Sequence, residues 1–185
     1  MNVLIGFAPY VAFFVLMHAG SVVLGLWAAF AVALGVAVCS WVRTRSSKVL
    51  EIGNVALFAA LATFTMATGW QWTLMAVRLT VDAGLLAIVL VSLAIGRPFT
   101  MQYAREIVPR EYWDTPFFFS TNRTITWVWA AAFGVLVASH AAIVAVPAIP
   151  ARFDVAATVL ALVGAYKFST WYPERARGQV LNSSG

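Results

Sequence analysis

The stretch GRPFTMQYAREIVPREYWDTPFFFSTNRT, residues 96–124, places seven Arg, Asp and Glu residues between two long apolar runs. The chain has 185 residues, of which 62% are hydrophobic and only 10% are charged, and its mean hydropathy is +0.87. A soluble domain carries about 25% charged residues, so a soluble protein of this size is excluded. The composition predicts an integral membrane protein, and the quoted stretch is then a connection between membrane-spanning segments.

Six apolar runs are candidates for membrane-spanning helices, which need roughly 20 residues. The bilayer interior offers no hydrogen-bond partners, so each spanning run must form an α-helix. We predict an all-α, polytopic membrane protein with about six transmembrane helices and a short interfacial cytoplasmic segment between the fourth and fifth. The predicted spans are residues 3–17, 21–42, 49–68, 73–95, 125–146 and 153–171, with Pro173 beyond the last.

The Lys and Arg residues near the span ends predict the orientation. With six spans, nine of them fall on one side and only Arg152 falls on the other. Because Lys and Arg concentrate on the cytoplasmic side, we expect both termini and residues 97–123 in the cytoplasm, beside anionic lipid headgroups. The nine are Arg43, Arg45, Lys48, Arg97, Arg105, Arg110, Arg123, Arg175 and Arg177.

These spans predict one transmembrane helical domain over residues 1–180, with residues 97–123 as its cytoplasmic or interfacial connection. The last five residues, LNSSG at 181–185, have the composition of an added tail, and the fold prediction excludes them. The net charge of +5 follows from the cations between spans, so it does not predict nucleic-acid binding.

The connection carries an amphipathic pattern that is typical of a short interfacial helix. One helical face gathers its apolar residues, Pro109 ends the helix, and Pro116 begins an aromatic run expected at headgroup level. Asn122 or Thr124 is expected to cap the fifth span. A loop with accidental amphipathicity and a surface that docks a partner are the alternatives. The apolar face consists of Phe99, Tyr103, Ala104, Ile107 and Val108, and the candidate partner residues are Arg97, Pro98, Tyr103, Arg105, Arg110, Trp113, Asn122 and Arg123.

Four polar residues inside the predicted spans are the candidates for an intramembrane polar site, because an ionised side chain there costs about 2.5–3.5 kcal/mol. Arg78 and Asp82 lie four residues apart in the fourth span, and Glu51 and Asn54 lie three apart at the start of the third. A structural ion pair between Arg78 and Asp82 is the favoured interpretation, and a substrate or coupling-ion site is the alternative. Glu51 is expected to stabilise the N-terminus of its helix, with a proton or cation relay as the alternative.

Two histidines, His18 and His140, are predicted toward the outer side. They are the candidates for a metal or haem site, but a closed zinc site usually takes four ligands, so a hydrogen-bonded interhelical histidine is favoured. We predict no cofactor. The sequence shows no nucleophile beside a base and no phosphate-binding glycine loop, which favours a protein that is not an enzyme, although a site formed only in space stays open.

Five short motifs, in order along the chain, resemble the intracellular septation protein A family of bacterial inner-membrane proteins. They are FAPYVAFF at 7–14, KVLEIGN at 48–54, RLTVD at 78–82, GRPF at 96–99 and NRTITWVWAAAF at 122–133. The segment between GRPF and NRT departs from the family pattern. The matching positions are Pro9, Lys48, Glu51, Arg78, Thr80, Gly96, Arg97, Pro98, Asn122 and Trp129.

This resemblance implies a non-catalytic protein of the bacterial inner membrane, linked to septation, cell division and envelope maintenance through partner proteins. The alternative is a small transporter or channel that uses Arg78 and Asp82 with Glu51 and Asn54. Six short helices enclose little volume, so a pore predicts a homo-oligomer.

Overall fold

The fold was established from a computed structural model, which describes residues 3–19, 21–146, 148 and 150–183. Within these ranges, the side chains of residues 3, 4, 18, 19, 151 and 177–183 lie outside the description. A short 3-10 turn, Val3–Phe7, leads into the first of the seven α-helices in these ranges. They are α1 (Ala8–Ala19), α2 (Val22–Thr44), α3 (Val49–Thr68), α4 (Leu74–Ala94), α5 (Phe99–Ala104), α6 (Pro116–Ala145) and α7 (Ala151–Ser183).

The all-α class is confirmed for the described residues. Five helices there are long and apolar enough to cross a membrane, namely α2, α3, α4, α6 and a stretch of α7 at Arg152–Ala176. The first predicted span corresponds to a shorter apolar helix, Ile5–Met17. The chain is therefore a helical protein with five membrane-compatible helices.

Chain contacts divide the protein into two compact units, Met1–Ile88 and Val89–Gly185. In the first, α1 packs on α2 and α2 packs on α3. The first 15 residues of α4, residues 74–88, belong to this unit, and they pack closely on α3: a Cβ atom added at Gly84 would lie 2.4 Å from the Leu57 side chain, and one added at Gly53 would lie 2.6 Å from the Ile88 side chain. The core of this unit is built from Phe13, Leu26, Phe58, Ala62, Val77 and Val81.

In the second unit, α6 packs along α7, and the six-residue helix α5 packs against α6. The apolar side chains between them are buried: Phe99, Ile125, Trp129, Phe133 and Leu136.

The start of α6 differs from the prediction. The helix begins at Pro116, nine residues before the predicted start of the fifth span at Ile125. Its N-cap is Thr115, whose side chain accepts a hydrogen bond from the Phe118 amide at 3.2 Å. The prediction of Asn122 or Thr124 as the cap is therefore wrong, because a Thr-Pro pair supplies the cap and the first helical residue earlier.

Two other boundaries also differ. The helix α5 ends at Ala104, not at Pro109, so the proposed apolar face is not continuous: Phe99 and Tyr103 are buried, whereas Ile107 is 80% exposed. At the other end of the chain, α7 continues through Pro173 instead of ending before it. Residues 184 and 185 of the predicted tail lie outside the described residues.

Candidate functional site

The connection between α4 and α6 is held by buried hydroxyl groups of the second unit. Thr100 Oγ1 donates to the backbone oxygen of Asn122 at 2.9 Å and lies 2.7 Å from Thr126 Oγ1. At the end of α4, Ser92 Oγ accepts from the Phe99 amide at 3.3 Å. All three hydroxyl-bearing side chains are at most 5% exposed. These bonds fix the first two residues of α5, so the start of the connection has a defined conformation.

Three residues that were predicted as partner contacts are buried beside these hydroxyls. Pro98 is buried, Tyr103 is 2% exposed, and Asn122 is 5% exposed and donates its side-chain amide to Phe118 O at 2.8 Å. Their positions make them part of the scaffold of the connection. A partner that meets the folded connection therefore contacts other residues first.

The exposed part of the connection carries the arginines. Arg105 and Arg110 both lie over the Trp113 ring, with guanidinium carbons 5.3 and 5.6 Å from the ring centre. Trp113 Nε1 donates to Val108 O at 2.9 Å, which orients the ring. We call these three residues, Arg105, Arg110 and Trp113, the arginine–tryptophan cluster. Arg97 and Arg123, the other predicted contacts, are also exposed.

The first unit contains a buried ion pair at the start of α3. Lys48 Nζ lies 3.1 Å from Glu51 Oε1 and donates to Ser40 Oγ at 2.9 Å. Lys48 and Glu51 are each 2% exposed, and Ser40 is fully buried. Breaking such a pair by removing one partner leaves a buried charge without compensation. Glu51 thus lies in the first turn of α3, as predicted. The positive charge that it pairs with is the side chain of Lys48.

One turn further along α3, Asn54 joins α3 to the start of the chain. Its amide nitrogen donates to Gly6 O at 2.8 Å, and its amide oxygen accepts from the Tyr10 hydroxyl at 2.7 Å. Asn54 is 1% exposed, and the Tyr10 ring packs edge-on against Phe58 at 5.2 Å. Asn54 and Tyr10 therefore form a buried polar link between the first turn of α1 and the second turn of α3.

The predicted pair Arg78 and Asp82 lies on α4 in the same unit. The Arg78 guanidinium carbon is 4.9 Å from the centre of the Phe14 ring on α1. Asp82, one turn further along α4, is 6% exposed. The first unit thus gathers all four residues that the sequence predicted for an intramembrane polar site.

Of the two histidines, His140 lies in a buried polar cluster of the second unit. Its Nε2 is 3.1 Å from Asp154 Oδ2, and Ser139 Oγ donates to Asp154 Oδ1 at 2.6 Å. His140 and Asp154 are 3% and 5% exposed, so the cluster joins the end of α6 to the first turn of α7. The side chain of His18 lies outside the described residues. Among the residues that are described, no group of three or more His, Cys, Asp or Glu side chains is placed to hold a metal ion.

Sequence reasoning missed three members of these clusters. Lys48 was read as a cytoplasmic cation, although its position three residues before Glu51 is a helical pairing distance. Tyr10 and Asp154 gave no such signal, because their partners Asn54 and Ser139 are 44 and 15 residues away.

No family model matches this chain, and neither a curated protein nor a solved structure matches it.

Proposed function

We propose that this chain is a non-catalytic, multi-pass protein of the bacterial inner membrane that acts in envelope maintenance and septation through partner proteins. The single observation that supports this proposal is the ordered, arginine-bearing surface of the connection between α4 and α6. Buried hydroxyls hold it against α6, while its arginines stay exposed. A preordered surface binds a partner with less loss of conformational entropy than a flexible loop does.

The proposed topology has six crossings with both termini in the cytoplasm. The 3-10 turn and α1, residues 3–19, together rise about 28 Å at 2.0 and 1.5 Å per residue, close to the roughly 30 Å hydrocarbon core. This length supports α1 as the sixth crossing beside the five longer helices. The 30 residues of α6 rise about 45 Å, so its first turns extend past the bilayer core and support a cytoplasmic platform for α5.

Charge reversal in the arginine–tryptophan cluster tests the partner proposal. The assay needs a bacterial host in which loss of this protein causes a division or envelope defect. The variant Arg105→Glu with Arg110→Glu is expected to accumulate in the membrane at the normal level but to leave the defect uncorrected. The matched control is Arg43→Glu with Arg45→Glu, which reverses two exposed cations at the end of α2. Full correction by the cluster variant would contradict the proposal.

A small transporter or channel is the second candidate. It is favoured by the position of Glu51, Asn54 and Asp82, which are all buried in the first unit. Polar groups inside membrane helices often mark ion pathways. Flux through proteoliposomes is expected to fall to the level of empty liposomes in Asp82→Asn. Equal flux from the wild type and from empty liposomes would remove this candidate.

A further inference from the structure

The end of α2 joins an exposed tryptophan to an arginine that lies over its ring. The guanidinium carbon of Arg45 is 5.1 Å from the centre of the Trp41 ring. Arg43 is exposed in the last turn of the same helix, and residues 22–42 before it contain no Lys, Arg, Asp or Glu. Two cations therefore lie beside a tryptophan at the point where an apolar helix ends.

The length of α2 places this pair at the depth of lipid headgroups. The 23 residues of α2 rise about 34 Å, slightly more than the roughly 30 Å of the hydrocarbon core. A bilayer crossing by α2 therefore leaves its last turn in the headgroup layer, where tryptophan is enriched. Phospholipid phosphates are the abundant anions of that layer, so they are the groups that Arg45 meets there.

The backbone of Arg45 has a conformation that glycine adopts more easily. Arg45 has a φ of 52° and is the only residue other than glycine with a positive φ among those that the structure describes. Its amide caps α2 by donating to Trp41 O at 2.8 Å. Gly69, with a φ of 64°, caps α3 in the same way by donating to Thr65 O at 3.0 Å. Glycine thus makes the same cap without strain.

Helix stability does not account for an arginine at this position. The left-handed conformation costs a residue with a Cβ atom at least as much free energy as the helix dipole returns to a cation at that end. Glycine would avoid the cost and keep the cap. Residues held in a strained conformation cluster at binding sites, and what Arg45 supplies in place of glycine is a guanidinium group.

Stacking on Trp41 prepares this guanidinium group for a phosphate. The ring contacts the face of the planar guanidinium, whereas the N–H donors point outward in its plane and match two oxygens of a phosphate. A side chain that is already held in place loses less conformational entropy on binding. Residues 1–50 contain no Asp or Glu, and the first acidic residue, Glu51, is paired with Lys48 at 3.1 Å. No carboxylate of this segment therefore competes for Arg45.

We infer that the end of α2 is a binding site for the phosphate group of an anionic phospholipid. Arg45 binds the phosphate oxygens, Trp41 orients Arg45, and Arg43 adds a second positive charge that favours an anionic headgroup over a zwitterionic one. The inference requires α2 to cross the bilayer. It is independent of the partner proposal, which concerns the arginine–tryptophan cluster of the other unit.

Photo-cross-linking in nanodiscs tests the site with a defined lipid. The full-length chain is reconstituted in phosphatidylcholine with a limiting amount of phosphatidylglycerol that carries a photoreactive group beside its phosphate. Mass spectrometry of the peptides then locates the cross-links. The wild type is expected to cross-link at residues 40–47, and Arg45→Gln is expected to lower that yield about fivefold, the effect of one arginine on binding to an anionic lipid surface. Equal yields from the two proteins would overturn the inference.

The variant Arg45→Gly separates lipid binding from helix stability. Glycine favours the left-handed backbone, so this variant is expected to keep or raise the thermal unfolding temperature. Its cross-linking yield at residues 40–47 is nevertheless expected to fall as in Arg45→Gln. A wild-type yield from Arg45→Gly would mean that Arg45 acts only on the end of the helix, and the inference would be wrong.

Two further variants separate the stacked pair from charge alone. Trp41→Leu keeps the charge of Arg45 but removes the ring, and it is expected to lower the yield at residues 40–47; an unchanged yield would contradict the role of the stack. The matched control, Arg105→Gln with Arg110→Gln, removes two arginines that lie over another tryptophan in the second unit. It is expected to leave the yield unchanged, and a fivefold fall would show that the yield follows net charge and not this site.

Competition identifies the source of the phosphate. Excess unlabelled phosphatidylglycerol is expected to suppress the cross-links at residues 40–47, whereas inorganic phosphate at the same total concentration is expected to leave them unchanged. Suppression by inorganic phosphate would identify a soluble phosphate as the ligand and would overturn the assignment to a lipid.

Discussion

At the scale of single residues, the buried pair Lys48 and Glu51 makes the strongest stability prediction. Lys48→Met leaves the Glu51 carboxylate buried without its cation, and removal of one partner of a buried pair costs about 3–5 kcal/mol. We expect Lys48→Met to lower the free energy of unfolding by that amount, measured by chemical denaturation in detergent micelles. The control Lys167→Met removes an exposed lysine from α7 and is expected to change stability by less than about 0.5 kcal/mol.

The companion variant of this pair distinguishes charge from shape. Lys48→Met with Glu51→Leu removes both charges, and we expect it to regain most of the lost stability, since apolar replacement of a whole buried ion pair is often neutral or stabilising. If the double variant is as unstable as Lys48→Met alone, the loss comes from packing around Ser40 and not from the loss of the ion pair.

The Asn54 and Tyr10 link makes a second prediction at residue scale. Asn54→Leu leaves the Tyr10 hydroxyl and Gly6 O without their partner, and a buried polar group without a partner costs about 1–3 kcal/mol. Tyr10→Phe in the Asn54→Leu background is expected to restore about 1 kcal/mol of this loss. Thermal unfolding of the four proteins of this double-mutant cycle measures the coupling. Strict additivity would show that the hydrogen bond of 2.7 Å contributes nothing.

At the scale of elements, the cap of α6 predicts where the helix begins. Thr115→Ala removes the side chain that accepts from the Phe118 amide, and loss of an N-cap costs about 0.5–2 kcal/mol. We expect faster hydrogen exchange at the amides of the first turn, residues 117–119, with little change beyond Ile125. Thr124→Ala is the matched control, because Thr124 lies inside α6 and caps nothing. Faster exchange in the control but not in Thr115→Ala would place the start of the helix near Thr124.

The boundaries of the elements show which part of the fold the sequence specifies. The predicted third span, residues 49–68, coincides with α3, because Gly69 adopts a left-handed conformation that ends the helix. The start of α6 was missed because residues 116–124 are too polar and too rich in aromatic side chains to resemble a span, although Thr115 and Pro116 together are a helix-start signal. Hydropathy detects the part of a helix that lies in lipid and not its extension into water.

For the candidate sites too, the sequence reveals only part of what the structure contains. The sequence identified Glu51, Asn54, Arg78 and Asp82 because polar residues are conspicuous in apolar runs. It did not identify Tyr10, since a tyrosine in an apolar helix is common and its link to Asn54 spans 44 residues. Contacts between helices depend on tertiary packing, which one sequence without a structural template does not reveal.

At the scale of the whole molecule, the topology depends on the resistance of Lys and Arg to crossing the bilayer. To test this topology, single cysteines are introduced into a chain in which Cys39 has been replaced. Intact cells are then labelled with a thiol reagent that does not cross the membrane. Ser46→Cys and Glu111→Cys are expected to be protected and to label only after lysis, because both lie in cytoplasmic connections of the six-span topology. Gln71→Cys, between α3 and α4, is expected to label in intact cells.

In the same assay, the accessibility of the N-terminus distinguishes a topology of six crossings from one of five. If α1 crosses the bilayer, Asn2→Cys is protected like Ser46→Cys; if α1 only lies on the outer surface, Asn2→Cys labels like Gln71→Cys. We expect protection, because residues 3–19 are apolar and carry no Lys, Arg, Asp or Glu. Labelling of Glu111→Cys in intact cells would place the arginine–tryptophan cluster outside the cytoplasm, and the proposed docking of cytoplasmic partners would then be wrong whatever the position of the N-terminus.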